Sequence, residues 1–292
     1  MKVDASIFTI DEKMHEKMKK FKKTVWEYYA EHRRTFPWRE DISPYRVVVS
    51  EIMLQQTQVS RVVPKFESFM RKFPDFETLA RAPLRDVLGE WQGLGYNRRG
   101  LQLKRLAEMI VVNGGESALP RIKETLMELP GIGPNTAGSI MAFAYNIPQA
   151  FIETNIRSVF IHFFFKNPRI KVHDKEILKL VEKSLAKKNN KNFKNPREWF
   201  YALMDYGAYL KSSCPNPSRK SKHHVQQSPF EGSNRQLRAL ILHSIIEKPR
   251  TEVEIRKICG NIPGIMKSIE KNIIDLKKEG FITEKNGTFH II

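Results

Sequence analysis

Leu129-Pro130-Gly131-Ile132-Gly133 runs into Pro134-Asn135-Thr136-Ala137-Gly138 and, one predicted helix later, reaches Phe151-Ile152-Glu153-Thr154-Asn155. The reading of this stretch decides the fold. Two glycines so spaced can take positive φ and present backbone amides with no Cβ in the way. A helix starting near Pro134 points its N-terminus at the same spot, which favours an anion. Gly-X-Gly alone fits a tight interhelical turn with glycine caps equally well. The small residues Thr136, Ala137 and Gly138 let helices approach closely and favour a hairpin that clamps a phosphate backbone. Glu153 lies between Phe151-Ile152 and Ile156, and a carboxylate in such surroundings is paired, caps a helix or is catalytic. Spacing does not choose among the three.

Upstream stands Ser50-Glu51-Ile52-Met53-Leu54-Gln55-Gln56-Thr57-Gln58. Glu51 reads as opening an amphipathic helix whose other face is Ile52, Leu54 and Val59. A lone glutamate near a helix N-terminus ordinarily compensates the dipole. Here the long neutral amides of Gln55, Gln56 and Gln58 follow, able to probe base edges or fill a gap in a base stack. Apolar residues at helical spacing predict further helices over 20–33, 45–73, 76–88, 98–113, 122–128, 135–145, 156–164, 174–187 and 196–210. The basic, asparagine-rich stretch 187–195 separates the last two. Prolines such as Pro37, Pro44, Pro74, Pro120 and Pro148 mark helix ends or first turns. The first two hundred residues are therefore all-α.

Of 292 residues, 50 are Lys or Arg and 32 are Asp or Glu, a formal charge of +18. Such a surplus implies an anionic partner, because cations docked on phosphates release counterions. Charge alone does not separate DNA from RNA or an anionic membrane. No apolar run approaches the roughly 20 residues that span a bilayer, and residues 1–23 lack the apolar block of a signal peptide. An intracellular protein is expected. The two cysteines, Cys214 and Cys259, are too few for a four-thiolate iron–sulfur cluster or a cysteine zinc site. The pair His223-His224 reads as solvated, so no metal site is expected.

From 211 to 232 the chain is basic and polar, with Lys211, Arg219, Lys220 and Lys222 and no acid before Glu231. It reads as a basic loop or linker. From 233 to 292, helical patterns over 235–247, 252–258 and 264–279 precede two short strand patterns around Lys285-Asn286-Gly287, a hairpin signal. Three helices and a β-hairpin make a winged-helix pattern, whose last helix often enters the major groove. That helix carries Lys267, Lys271, Lys277 and Lys278.

With these pieces in view, residues 24–210 resemble the helix-hairpin-helix DNA glycosylase superfamily, and within it the adenine glycosylase (MutY-type) branch. The matching pieces are Phe36-Pro37-Trp38-Arg39, Pro44-Tyr45, Ser50 to Val59, Trp91-Gln92-Gly93-Leu94-Gly95-Tyr96, Leu129 to Gly138 and Glu153 to Val159. The resemblance implies a monofunctional hydrolase that extrudes a base and cuts its N-glycosidic bond. By position Glu51 matches the general acid that protonates the departing purine, Glu153 the carboxylate that stabilises the cationic sugar, and Asn155 a residue ordering the site. Gln55, Gln56 and Tyr96 match residues that wedge into DNA. The DNA-binding set implied is Arg39, Gln55, Gln56, Tyr96, Leu129, Gly131, Gly133 and Asn135, joined by Lys211, Arg219 and Lys220. Asn135 stands where bifunctional relatives carry a Schiff-base lysine, and an amide forms no imine.

Three departures qualify the match. Glu153 replaces the usual aspartate and is longer by one C–C bond, roughly 1.5 Å. Lys211 stands where the first cluster cysteine would be, so no iron–sulfur cluster and no other cofactor is expected. The branch's C-terminal domain, which inspects 8-oxoguanine, is replaced by the winged-helix-like segment. The expected architecture is an all-α helix-hairpin-helix glycosylase domain over 1–210, a basic loop over 211–232 and a small winged-helix (α+β) domain over 233–292. The expected function is excision of adenine mispaired with 8-oxoguanine or guanine, by a monomer acting on mismatched or oxidised duplex DNA and not on membranes. Two alternatives stand beside it: excision of thymine or uracil opposite guanine, and non-catalytic binding of distorted DNA.

Overall fold

The computed structural model describes residues 5–167, 169–186, 195–224, 229–260 and 266–292. Its helices are, in chain order, α1 (Ala5–His32), α2 (Pro37–Glu40), α3 (Pro44–Leu54), α4 (Val59–Lys72), α5 (Phe76–Arg81), α6 (Leu84–Trp91), α7 (Arg98–Val112), α8 (Lys123–Leu126) and α9 (Pro134–Tyr145). There follow α10 (Thr154–Phe164), α11 (Asp174–Leu185), α12 (Pro196–Ser213), α13 (Asn234–Glu247), β1 (Arg250–Thr251), α14 (Glu252–Cys259), α15 (Met266–Glu279), β2 (Ile282–Lys285) and β3 (Thr288–Ile291). The stretch 187–194, read as a break between helices, lies outside the described residues, as do 225–228 of the basic loop and the predicted start of the last helix at 264–265. The Lys267 side chain is also outside them.

Local chemistry explains the starts of these helices. Ser43 and Asp75 have extended backbone and accept the amides of Arg46 and Thr78 as N-caps of α3 and α5. Pro44 and Pro196 occupy the first turn, where a missing N–H costs nothing. The periodic stretch 45–73 is not one helix, because α3 stops at Leu54 and α4 begins at Val59. Glu51 consequently does not open a helix; it sits in the last turn of α3.

The helices group into two compact units, 1–36 with 134–225, and 37–133 with 226–292. The first is centred on aromatic packing: the Phe21 ring lies 5.1 Å from Phe160 and 5.7 Å from Trp199, all buried. In the second, Trp91, Phe66, Phe69 and Phe76 are fully buried, and Tyr45 donates its hydroxyl to Phe73 O at 2.6 Å.

The C-terminal segment belongs to the second unit. Its sheet is antiparallel with order β1-β3-β2, pairing Arg250 with Phe289 and Thr283 with His290. Asn286 (φ 50°) and Gly287 (φ 73°) make the tight turn of the predicted wing; the two-residue β1 is an addition that the sequence pattern did not reveal. Leu237, Ile241, Ile255, Ile269, Leu276 and Phe281 share one apolar cluster with Leu84, Leu88 and Leu101 of α6 and α7. Arginines close this junction. Arg85 donates to Ile246 O (2.6 Å) and Glu247 O (2.7 Å) at the end of α13. Arg105 donates to Glu279 O (2.9 Å), and Arg98 and Arg238 pair with the Glu279 carboxylate at 2.6 and 2.7 Å. Guanidinium groups at helix C-termini satisfy orphan carbonyls and oppose the dipole's negative end. No helix among the described residues is long and apolar enough to cross a membrane.

Candidate active site and DNA interface

In the first unit, Glu153 is the N-cap of α10, with extended backbone at φ −123°. Its Oε1 accepts the amides of Asn155 (2.7 Å) and Ile156 (2.8 Å), and its Oε2 accepts Asn155 Nδ2 at 3.3 Å. A carboxylate has about four lone-pair sites, so these three bonds leave Glu153 acceptor capacity to spare. The extra methylene of glutamate is taken up by folding the carboxylate back onto its own helix.

The backbone under Glu153 is held by close contact. Asn135 Oδ1 accepts Ile152 N at 3.2 Å. A Cβ placed on Gly138 of α9 would lie 2.6 Å from Phe151 Cβ. One placed on Gly207 of α12 would lie 2.5 Å from Asn155 O and 2.6 Å from Asn155 Cβ. Only hydrogen fits at these points, so the segment 151–155 is gripped from α9 and α12.

Lys211 follows Gly207 by one helical turn, so it projects from the same face of α12. It is helical, not part of a loop, because α12 runs on to Ser213. Burial pushes its ammonium below the usual lysine range, the Glu153 carboxylate pulls it back up, and Arg157 and Arg34 push it down. Arg157 is itself engaged by Asp174 (2.6 Å) and Arg34 by Asp205 (2.7 Å).

The stretch after α12 is no loose linker over its described residues. Asn216 Oδ1 accepts Ser218 N (3.0 Å), Ser218 Oγ (2.8 Å) and Ser158 Oγ (3.3 Å). Val172 N donates to Lys220 O and Lys222 N to Val172 O, both at 2.9 Å. Arg219 and Lys222 are exposed, whereas Lys220 is half-buried and donates to Phe165 O at 3.4 Å.

In the second unit, Glu51 is half-buried at the C-terminal end of α3, three residues before Leu54. The end of this helix is gathered by Arg99, which is 7% exposed. Its Nη1 donates to Ile52 O (2.8 Å), Met53 O (2.9 Å) and Gln55 O, and its Nη2 to Thr57 Oγ1 (3.0 Å), Leu94 O (3.1 Å) and Gly95 O (3.1 Å). Burial pushes this guanidinium down to about 10, so it stays charged at neutral pH. One cation thus ties the Gln55–Thr57 turn to the loop before Tyr96.

Among the described residues, four non-glycine residues have positive φ: Asn146, Asn286, Gln56 (56°) and Tyr96 (49°). Asparagine tolerates this region, whereas for other side chains it costs roughly 1–2 kcal/mol. Two of the three candidate wedge residues, Gln56 and Tyr96, therefore stand on backbone that must be held in place. Arg99 and Arg235 lie over the Tyr96 ring, with Cζ 5.5 and 5.2 Å from its centroid, and Arg235 Nη1 donates to Tyr96 Oη at 3.0 Å. Gln55, Gln56, Gln92, Tyr96, Asn234 and Arg235 help line a groove of about 1130 Å³ within this unit.

The hairpin differs in detail from its sequence reading. Gly131 takes φ +81°, but Gly133 does not enter the positive region. Leu129 and Ile132 point inward and are buried, so Leu129 offers a ligand only its backbone. Gln55 Nε2 donates to Gly131 O at 3.5 Å, joining the amide row to the hairpin. Arg39 is 4% exposed, and a guanidinium so buried is not one the surface offers to a phosphate. Sequence reasoning passed over Arg99, Gly207 and Arg235. Gly100 was the available signal for Arg99: its hydrogen lies against the Trp91 ring, where a Cβ would come within 3.0 Å, which draws the start of α7 inward.

Residues 49–187 match the family described as HhH-GPD superfamily base excision DNA repair protein. The mostly helical fold with a small C-terminal sheet is the one the sequence led us to expect. The chain is similar to the adenine DNA glycosylase of Buchnera aphidicola subsp. Baizongia pistaciae (strain Bp), 34% identical over 191 residues, covering 65% of this chain and 52% of that protein. It is likewise similar to the adenine DNA glycosylase of Mycolicibacterium smegmatis, 42% identical over 135 residues and 45% of each chain. The chain thus spans about half the length of these curated relatives. Among solved structures it resembles a thermostable thymine-DNA glycosylase, with a TM-score of 0.58 and 25% identity over 70% of this chain and 92% of that one.

Proposed function

We propose that this protein hydrolyses the N-glycosidic bond of a mispaired adenine in duplex DNA, opposite 8-oxoguanine or guanine, without cutting the strand. The observation that carries the reading is that the family-matching stretch 49–187 contains Glu51, the amide row, Tyr96, the hairpin and Glu153, in a chain similar to adenine DNA glycosylases. In this reading Gln55, Gln56 and Tyr96 enter the base stack and the adenine is extruded. Glu51 delivers a proton to the purine, so the C–N bond breaks with the pair of electrons leaving on a neutral base. The sugar is left as an oxocarbenium ion. Glu153, oriented by two amides and the Asn155 side chain, supplies negative charge to that cation, and water adds to C1′, giving up its proton to the carboxylate left on Glu51. Backbone amides of the Gly131–Gly133 hairpin and the cations Lys211, Arg219 and Lys220 take phosphates.

Catalysis proceeds without an iron–sulfur cluster in this proposal. A four-iron cluster takes four thiolates; the chain has two cysteines, Cys214 in the first unit and Cys259 buried in the apolar cluster of the second. The donor set does not fit the group, and metal analysis finding stoichiometric iron in the purified protein would overturn this part.

Incubation with an A:8-oxoguanine duplex followed by hot alkali is expected to cut the strand at the adenine. Intact strands across all adenine mispairs would reject the proposal. A second reading, thymine or uracil opposite guanine, is favoured by the likeness to the thymine-DNA glycosylase structure. T:G and U:G duplexes in the same assay decide between them. If no duplex is cut but mismatched DNA is still bound, the protein is a binder of distorted DNA.

A further inference from the structure

We propose that Arg235, from the C-terminal winged-helix segment, is a positioning residue for base extrusion, holding Tyr96 in the conformation from which its ring enters the DNA stack. This rests on the reading of Tyr96 as a wedge given above. Four observations carry it. Tyr96 has left-handed backbone, at φ 49°, which a tyrosine does not keep without external support. Arg235 engages that side chain twice, by a hydrogen bond to the hydroxyl at 3.0 Å and by its guanidinium over the ring at 5.2 Å.

Arg235 is also in the wrong place to serve its own helix. It is the second residue of α13, where the dipole is unfavourable to a cation. Besides Tyr96 it reaches Pro229 O (3.4 Å) and the Phe230 ring (6.0 Å), so it joins the Tyr96 side chain to the turn that precedes α13. Finally, α13 has little freedom to carry Arg235 away. Arg85 holds its C-terminal end, and Glu279 ties Arg238 of α13 to Arg98, two residues beyond Tyr96. The loop bearing Tyr96 is therefore tied to the winged-helix segment at Tyr96 and again at Arg98. With α15 turning its apolar face into the shared cluster and Lys277 paired with wing residue Glu284 at 2.8 Å, the segment acts as a brace for the wedge, beyond any grip of its own on DNA.

The test compares Arg235→Ala, Arg235→Lys, Tyr96→Phe and the double variant Tyr96→Phe/Arg235→Ala in the full chain, with melting temperatures to confirm folding. Base extrusion is read from 2-aminopurine fluorescence in the duplex, and excision from single-turnover rates. Arg235→Ala is expected to lower both by about tenfold or more, given the sensitivity of reacting geometry to misplacement. The double variant is expected to be no worse than its worse parent, and Arg235→Lys, which keeps a donor without the planar fork, to fall between. If the two losses multiply, or if Arg235→Ala weakens duplex binding and lowers the salt slope by about one with extrusion intact, Arg235 is a phosphate contact and the proposal fails. A readout without DNA separates this from failure of the glycosylase reading. A fluorotyrosine at position 96 should give one narrow fluorine resonance that broadens or shifts in Arg235→Ala; an unchanged line overturns the brace. A wild-type chain that cuts no duplex, yet shows that change, overturns the glycosylase reading and leaves the brace standing.

Discussion

The two candidate catalytic carboxylates are held by opposite means. Glu153 begins its helix and is fixed by what that helix offers, two backbone amides and the side chain of Asn155. Glu51 lies in the last turn of its helix, where the dipole gives a negative charge no help, and the carbonyls around it are collected by the buried Arg99. An N-terminal position suits a group that must be an anion when a cation forms beside it. A C-terminal position suits one whose task is to give up a proton. In the proposed reading, one type of side chain thus serves two roles from opposite ends of two helices.

The largest effect that sharpens this contrast is on rate. Glu51→Gln is expected to slow single-turnover adenine release by about 10²–10⁴-fold while duplex affinity and melting temperature stay near the parent. Glu153→Ala should slow release and also lower stability by about 1 kcal/mol, because it removes an N-cap. Glu153→Asp should keep the cap and the stability. If instead Glu51→Gln destabilised the fold and Glu153→Ala did not, the contrast between the two ends would be lost.

Next in size is Arg99. Its replacement by Met strands several buried carbonyls, each costing about 1–3 kcal/mol. Chemical denaturation should show a large drop in midpoint, and any folded Arg99→Lys protein should extrude base poorly. In the other unit the matching change is Gly207→Ala, which puts a methyl against Asn155 backbone that cannot yield easily. A loss of about 1–3 kcal/mol is expected, with excision reduced beyond what stability explains. An Ala variant as stable and active as the parent would show that α12 does not grip the Glu153 segment.

The smallest effect concerns pH. Burial pushes the Asp174 carboxyl up, but hydrogen bonds and charge from Arg157 outweigh it and hold the group below its usual range. A carboxyl lowered on folding stabilises the protein above its unfolded value and loses that contribution as pH falls through the folded one. The stability gap between parent and Asp174→Asn should therefore be full at pH 6 and shrink below about pH 4. A gap independent of pH would assign Asp174 a packing role only.

Much of this was legible in the chain. The hairpin, the Glu153-Thr154-Asn155 turn and the Asn286-Gly287 wing depend on neighbours within a few residues, and local patterns report them. What escaped is set by partners far along the sequence. The apolar period running from 45 to 73 gave no sign that Arg99, more than forty residues on, gathers the carbonyls where α3 ends. Of the adjacent Arg98 and Arg99, one pairs with Glu279 and the other is buried, a difference that the helical pattern over 98–113 does not report. The burial of Arg39 escaped for the same reason, since burial of a cation is a tertiary property. Gly133 differs because a pair of glycines permits positive φ at two positions without requiring it at both.

The apolar cluster that joins α13–α15 to α6 and α7 has a consequence for how such a protein can change. Leu84, Leu88 and Leu101 are nearly solvent-free and share one apolar cluster with the C-terminal segment. That segment is therefore not an interchangeable cassette: trimming the chain before Ser233 would leave an adhesive patch on α6 and α7. Any substitute for it would have to be matched to those leucines, so the tail and the helices beneath it constrain each other's sequence.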